Sequence, residues 1–349
     1  MVMDVVDWEL ARSAGRRLCP PGPKTSDQQA RAAVAELRAL AAFAVAPVRE
    51  RTGMDAGDAP GAIVVDRPDW VASNVHGFRS VLDPILRRAA AEQPAAIAAV
   101  SARIAALQMA GVLAFASTKV LGQYEAFTPT GEGRLLLVAP NIVAAERQLG
   151  VNPRDFRLWV CLHEETHRVQ FGAVPWLSDY LTSLMREFFD VAPTSTSETV
   201  DRFRNVLSAF YSAVRNADGP SVMDAAQTPA QRAVFDRVTA LMSLLEGHAD
   251  YVMDDVGPEI VPTVVKIRSR FEQRRHEPGT VDGIARRVLG FDAKLRQYSD
   301  GRRFVTAVVN EVGRDGFNRV WTSPETLPTR AEVLNPHEWC RRVAAGLIA

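Results

Sequence analysis

The sequence has few cysteines and no excess of charge of either sign. Only three cysteines occur in 349 residues, and Cys19, Cys161 and Cys340 are too far apart for a paired-thiolate zinc motif. This spacing argues against a disulfide framework and favours a reducing, cytoplasmic compartment. Lys+Arg and Asp+Glu both number 41, so that no net charge favours nucleic acid or an anionic membrane surface.

Long apolar runs and targeting signals are also scarce. The first residues, MVMDVVDWELARSAG, carry acids where a secretory signal would carry bases. No run approaches the roughly 20 apolar residues that a membrane-spanning helix needs. We therefore expect neither a membrane partner nor a nucleic-acid partner. With 47% hydrophobic residues, the chain can nevertheless bury a large core.

Helical apolar spacing dominates the chain, and signals for β-structure are few. The short apolar runs AIVVD (62–66) and GRLLLVAPN (133–141) predict strands, whereas residues 94–127 resemble one long helix. The sequence predicts a mainly α fold with a small β-sheet. We expect an N-terminal helical lobe over 1–130 and a catalytic lobe with C-terminal helices over 131–349; one compact domain is the alternative.

The stretch LWVCLHEETHRVQF holds two of the six histidines of the chain, four residues apart. Pro153 and Asp155 favour a helix start just before it. On a helix, His163 and His167 lie about 40° apart and continue an apolar stripe, so both can reach one ion. Glu164 lies beside that ion, where a carboxylate can take a proton from a metal-bound water. The pattern predicts a catalytic zinc site, against the alternative of two ordinary core histidines.

A catalytic zinc site needs a third protein ligand, which the stretch SLLEGHADYVMDD can supply. The longer metalloprotease motif would place glycine at 170 and histidine at 173, and Gln170 and Ala173 exclude it. Glu246 and Asp250 continue an apolar i, i+4 stripe, and a buried acid needs a cation or another partner. Glu246 is therefore the predicted third ligand, unless it pairs with an arginine.

Further residues are candidates for supporting roles. Asp250 is predicted to accept the free ring N–H of His163, and Asp282 is an alternative metal ligand. A donor to the oxyanion formed from the substrate carbonyl is also expected. The candidates are Tyr251 and His248, followed by Tyr124 and Tyr298.

DFRLWVCLHEETHRVQF, SLLEGHADYVMD, VLGQYE and KLRQYSDGRRFV together resemble the zincin-like metallopeptidase family that is often labelled as associated with deazaflavin-cofactor biosynthesis. The resemblance runs over nearly the whole chain and implies a mostly helical zincin-like fold. It also implies that His163, His167 and Glu246 hold the metal, an arrangement similar to the thermolysin-like class. The cofactor label reflects association and establishes no substrate.

Two further residues, Glu165 and Asn141, have expected roles near the substrate or the surface. Glu165 stands where the family has an apolar residue and, facing away from the metal, is expected to alter surface or substrate contacts. Asn141 ends the second predicted strand, and in zincin-like folds an edge strand often holds the substrate backbone in an extended form.

The leading interpretation is a zinc-dependent metallohydrolase acting on a peptide or another amide. Glu164 would activate the zinc-bound water and return the proton to the leaving nitrogen. One alternative is a catalytically silent zincin-like binding or regulatory protein, against which the intact Glu164 argues. Another is a small-molecule amidase in cofactor metabolism. The sequence does not indicate the oligomeric state.

Overall fold

The computed structural model describes residues 5–57, 60–89, 95–126, 128, 133–190, 229–275 and 297–344. This part of the chain is mainly helical with one small sheet, which confirms the predicted fold class. Its α-helices are α1 Trp8–Leu18, α2 Asp27–Thr52, α3 Arg67–Ala89, α4 Ala95–Ala116, α5 Ala139–Leu149, α6 Pro153–Ala173, α7 Leu177–Asp190, α8 Pro229–Asp255, α9 Gly257–Ile260, α10 Val264–Arg275, α11 Gln297–Phe317, α12 Arg330–Leu334 and α13 Pro336–Trp339. Short 3-10 turns follow α11 at Asn318–Trp321 and Pro324–Thr326, and a π-helical turn spans Cys340–Ala344.

The sheet has three strands in the order β1-β3-β2, namely β1 Ile63–Val65, β2 Gly122–Glu125 and β3 Arg134–Val138. The central strand, β3, is parallel to β1 and antiparallel to β2. Both strands predicted from the sequence are present, although each is shorter than the apolar run that predicted it.

The prediction of one helix over residues 94–127 is wrong at its C-terminal end. Helix α4 ends at Ala116, and Gly122–Glu125 form strand β2. Glycine is a poor helix former and tyrosine favours strands. Pairing with β3, which is not visible in local periodicity, provides the backbone partners for this segment.

The expectation that Asn141 ends a strand at the sheet edge is also wrong. Pro140 and Asn141 stand in the first turn of α5, and the preceding strand, β3, is the central strand, with β1 and β2 at the two edges. The buried Asn141 accepts a hydrogen bond from Nε of Arg67 at 2.7 Å. It donates to the carbonyl oxygens of Ser117 and Val120 at 2.7 and 2.6 Å. Asn141 therefore fixes the turn that leads from α4 into β2.

Two hydrophobic cores lie on the two faces of β3, because successive side chains of a strand point to opposite faces. Leu136 and Val138 pack with α1, α3 and α4, while Leu137 packs with α2, α6 and α8. The division of the chain at residue 130 stays a prediction.

Helix α6 runs through the larger core and carries the HEETH motif. It begins at Pro153, as predicted, and the side chain of Asn152 accepts a hydrogen bond from the backbone N–H of Asp155 at 3.1 Å. Phe156 and Trp159 are buried on the first turns. This packing holds the next two turns of α6, with both histidines, between β2 and α8.

Helix α4 contains the longest apolar stretch of the described chain. The 18 residues Ala99–Ala116 are apolar enough to cross a membrane by length and composition alone, and 44% of them are buried within the fold. Ala105, Ala106 and Met109 on the buried side belong to the core shared with α1 and α3. Packing inside the protein therefore accounts for the apolar character of that side.

Candidate metal centre

Three predicted ligands meet where α6 faces α8. Nε2 of His163 and Nε2 of His167 lie 3.1 Å apart. Each of these nitrogens is 3.6 Å from a carboxylate oxygen of Glu246. Within the described chain, these three side chains are the group whose potential ligand atoms all lie within 4.8 Å of one another. The structure thus brings together the two histidines and the glutamate that the sequence singled out.

The dimensions and chemistry of this group fit a zinc ion. Zinc binds imidazole nitrogens and carboxylate oxygens at about 2.0–2.2 Å, which in a tetrahedron separates neighbouring ligand atoms by about 3.3 Å. The distances of 3.1, 3.6 and 3.6 Å lie close to this value. All three side chains are half-buried and line an open cleft. The group could therefore hold zinc and leave one coordination position accessible from the cleft.

Glu164 lies next to the ligands and is fully enclosed, with 5% of its surface exposed. Burial, followed by the charge of Glu246, raises its pKa well above the usual value. A metal cation would act in the opposite direction and favour the carboxylate. Glu164 is thus placed in a largely buried position beside the candidate ligands and at the cleft, where a carboxyl group can exchange a proton with a reacting molecule.

Strand β2 approaches Glu164 so closely that its first residue, Gly122, leaves no room for a side chain unless Glu164 or β2 moves. A Cβ atom on Gly122 would lie 2.5–2.7 Å from Cγ, Cδ and Oε1 of Glu164. Real Cβ atoms essentially never come that close to other heavy atoms. The glutamate is therefore held between α6 and the edge strand of the sheet, a contact that sequence spacing does not reveal.

The sequence gives Gln170 a role only in excluding the longer motif, yet its side chain contacts a predicted ligand. Its Oε1 lies 2.8 Å from Nδ1 of His167, and its Nε2 donates to the backbone oxygen of Leu245 at 2.9 Å. Nε2 of Gln170 also lies 3.2 Å from Nδ1 of His248. A possible signal was the i, i+3 spacing of His167 and Gln170, which makes them neighbours on a helix surface.

Asp250 is buried one turn beyond Glu246, as the apolar stripe predicted. It forms an ion pair with Arg268 of α10, with Nη1 3.2 Å from Oδ1. Arg268 also pairs with Asp254, and its guanidinium lies over the ring of Trp159 at 5.3 Å. The arginine of this region, Arg268, thus pairs with Asp250 and Asp254, the acids that follow Glu246 on α8. Nδ1 of His163 lies 3.0 Å from Sδ of Met253, and a hydrogen bond from His163 to Asp250 stays a prediction.

The ligands open into a cleft of about 410 Å³. One wall is β2, whose Tyr124 stacks on Phe171 of α6 with ring centroids 5.7 Å apart. Among the described residues that line the cleft, none is lysine or arginine. Its apolar lining comes from α3, α6, α7 and α8: Phe78, Val81, Phe171, Leu181, Met185, Met242 and Leu245.

The candidate oxyanion donors lie in different places. Tyr124 lines the cleft. His248 is enclosed by the rings of Phe317 and Trp321, and burial, together with nearby His167, lowers its pKa to about 3. Tyr251 is half-buried and forms a hydrogen bond with Asp255. Asp282 and the side chain of Tyr298 lie outside the described residues.

Glu165 is buried, with 2% exposure, so that of its two expected contacts, with the surface or with a substrate, the surface contact is wrong. The reason is Arg168, one turn further along α6, whose Nε donates to Oε2 of Glu165 at 2.7 Å. The Nη2 group of Arg168 donates to the other carboxylate oxygen. A buried carboxylate and a buried guanidinium joined by two hydrogen bonds compensate each other's charge, so both can lie away from water.

Comparison with known proteins identifies the family of this chain. The model of the zincin-like metallopeptidase family matches residues 6–340, and the chain therefore belongs to that family. It is also similar to a crystal structure of a candidate hydrolase with a novel fold from Chloroflexus aurantiacus, with 31% sequence identity and a TM-score of 0.66. The match covers 97% of this chain and 99% of the other chain. The search of curated proteins gave no match.

Proposed function

We propose that the protein is a zinc-dependent peptidase that hydrolyses peptide bonds in extended segments bearing a large apolar side chain. The observation that supports this best is the cluster of His163, His167 and Glu246 next to the buried Glu164. Family membership supports a metal-dependent hydrolase, and the cleft supports the finer assignment of the substrate.

His163, His167 and Glu246 would hold the zinc ion. When bound there, zinc would supply a Lewis acid and would lower the pKa of water at the reaction centre. Glu164 would accept a proton from the attacking water and donate it to the nitrogen of the leaving amine. Its enclosure between α6 and Gly122 would hold the carboxyl group still during both transfers.

A peptide is favoured over a small amide because the cleft runs along the sheet edge. Within the described chain, β2 pairs with β3 on one side, which leaves its other side for an extended peptide to add as a further strand. The apolar lining favours a large apolar substrate side chain, and the described lining residues include no lysine or arginine to pair with an acidic one. A small-molecule amidase would not need the sheet edge.

A catalytically silent binding protein is disfavoured by the position of Glu164. A fully buried carboxyl group that is not one of the clustered metal ligands lowers stability, because burial opposes its charged form. A zinc site with a purely structural role has no use for this group, whereas a hydrolase uses it in proton transfer.

The test combines elemental analysis with a peptide-cleavage assay on the wild type, Glu246→Ala and Glu164→Gln. We expect about one zinc per wild-type chain, much less in Glu246→Ala, and unchanged zinc with abolished hydrolysis in Glu164→Gln. Peptides that vary at one position should be cut next to large apolar residues, with products identified by mass spectrometry. A wild type without zinc after purification with added zinc would refute the metal assignment. Hydrolysis that survives Glu164→Gln would refute the mechanism.

A further inference from the structure

We infer that Gln170 is the positioning residue that sets the tautomer of His167, so that its Nε2 is free to bind the metal. The inference rests on the proposed metal site. It goes beyond that site because it assigns a role to a residue outside the ligand set and the general base.

The hydrogen bonds of Gln170 define which way its amide points. A backbone carbonyl oxygen can only accept a hydrogen bond, so the Gln170 atom 2.9 Å from the oxygen of Leu245 must be the NH₂ group. The other amide atom, 2.8 Å from Nδ1 of His167, is then the carbonyl oxygen. The orientation of the amide therefore follows from the fixed chemistry of the backbone.

This orientation determines where the imidazole proton lies. Since the carbonyl oxygen of Gln170 is an acceptor, Nδ1 of His167 must carry the hydrogen in the bond between them. In the neutral ring Nε2 then has the free lone pair, and this atom faces Nε2 of His163 and the carboxylate of Glu246. A metal-binding histidine commonly has its other ring N–H held in this way by a neighbouring acceptor.

His248 accounts for the second hydrogen of the amide. Its Nδ1 lies 3.2 Å from Nε2 of Gln170, and in the tautomer with the ring hydrogen on Nε2 of His248 this Nδ1 accepts that hydrogen. Gln170 itself has no exposed surface. A fully buried amide with partners for its oxygen and both hydrogens has a single favourable orientation, so that His167 is held in one tautomer.

The same side chain connects the two metal-binding helices. Gln170 bonds to His167 on α6 and to the backbone of Leu245, which immediately precedes Glu246 on α8. A change at Gln170 should therefore alter both the tautomer of one ligand and the position of another. Loss of such a partner in a metal site typically weakens metal binding by about 10–100-fold.

The variants Gln170→Met and Gln170→Glu separate positioning from packing. Methionine has similar length but no hydrogen-bonding oxygen, and we expect zinc affinity to fall by about 10–100-fold in chelator competition. Glutamate retains an acceptor for Nδ1 of His167 but loses the donor to the backbone oxygen of Leu245, so its variant should keep the His167 proton on Nδ1 and bind zinc more tightly than Gln170→Met. Gln231→Met is the matched control, because Gln231 is also a buried glutamine but lies near the start of α8. It should leave zinc affinity unchanged.

The tautomer is measured directly in zinc-free wild-type protein by NMR with ¹⁵N-labelled histidine. The chain has six histidines, and the His167 signals are assigned by their loss in His167→Asn. We expect His167 to carry its proton on Nδ1. A proton on Nε2, or equal zinc affinity in Gln170→Met and the wild type, would overturn the inference. A wild type that takes up no zinc would instead refute the proposed function, while the tautomer measurement still decides the role of Gln170.

Discussion

Replacing Gly122 by alanine should lower the rate of hydrolysis by about 100-fold while leaving zinc binding intact, because the atoms nearest to the new methyl group belong to the proposed base. The added Cβ would lie 2.5 Å from Cγ of Glu164, whereas ordinary van der Waals contact begins near 3.4 Å. Glu164 or β2 must therefore move by about 0.9 Å. A misplacement of about 1 Å in a catalytic group can lower the rate by about 100-fold.

The cost to folding should be smaller than the cost to catalysis. An extra methyl group in a packed site lowers the free energy of unfolding by about 1–3 kcal/mol, which a chain of this size should tolerate. Zinc content should be unchanged, because the three atoms nearest to the new methyl group all belong to Glu164 and none belongs to His163, His167 or Glu246.

The assay compares kcat/KM for a cleaved peptide, zinc content and urea unfolding in Gly122→Ala and Gly61→Ala. Gly61 is the matched control, since it precedes β1 of the same sheet and a Cβ there would meet no atom within 4 Å. Full activity and wild-type stability in Gly122→Ala would show that Glu164 is not held against the edge strand, and the base would have to be sought elsewhere.

Two further predictions concern buried groups away from the proposed zinc. Arg168→Met should lower the free energy of unfolding by about 3–5 kcal/mol, because it leaves the buried charge of Glu165 unpaired. The double variant with Glu165→Met should recover much of this loss in urea unfolding; equal loss in both variants would contradict a charge effect. Burial raises the pKa of the Cys161 thiol and raises that of Cys340 to about 11, so both should react slowly with a disulfide reagent in the folded protein. The half-buried Cys19 should react first, and urea should expose all three thiols; rapid modification of Cys161 without unfolding would refute the packing of α6.

The cluster of His163, His167 and Glu246 could be predicted from the sequence because its arrangement follows from helix geometry. Residues four apart on a helix share a face whatever the rest of the fold does, so that HEETH alone places His163 and His167 together. Glu246 could be predicted because an acid on an apolar stripe needs a cation or another partner. Distances of 3.1–3.6 Å between these ligand atoms agree with both arguments.

The contacts that position the site depend on pairings that local sequence patterns do not encode. The segment Gly122–Glu125 follows helix α4 in the sequence, but it forms a strand because β3 supplies its backbone partners. The role of Gln170 depends on how α6 packs against α8, which places the oxygen of Leu245 within 2.9 Å of its amide.

Glu165 shows most clearly what helical periodicity alone does not predict. The helical periodicity of α6 correctly places Glu165 on the side away from the predicted metal. Periodicity alone does not show whether that side faces solvent or is covered by α2 and the sheet, as it is here. The sequence does contain a relevant signal, since Arg168 lies three residues further on and can pair with it on the same helix face. A charge of opposite sign at that spacing makes burial of an acid tolerable. Around a metal-binding helix, each acid is therefore best judged together with its i+3 and i+4 neighbours before it is assigned to solvent.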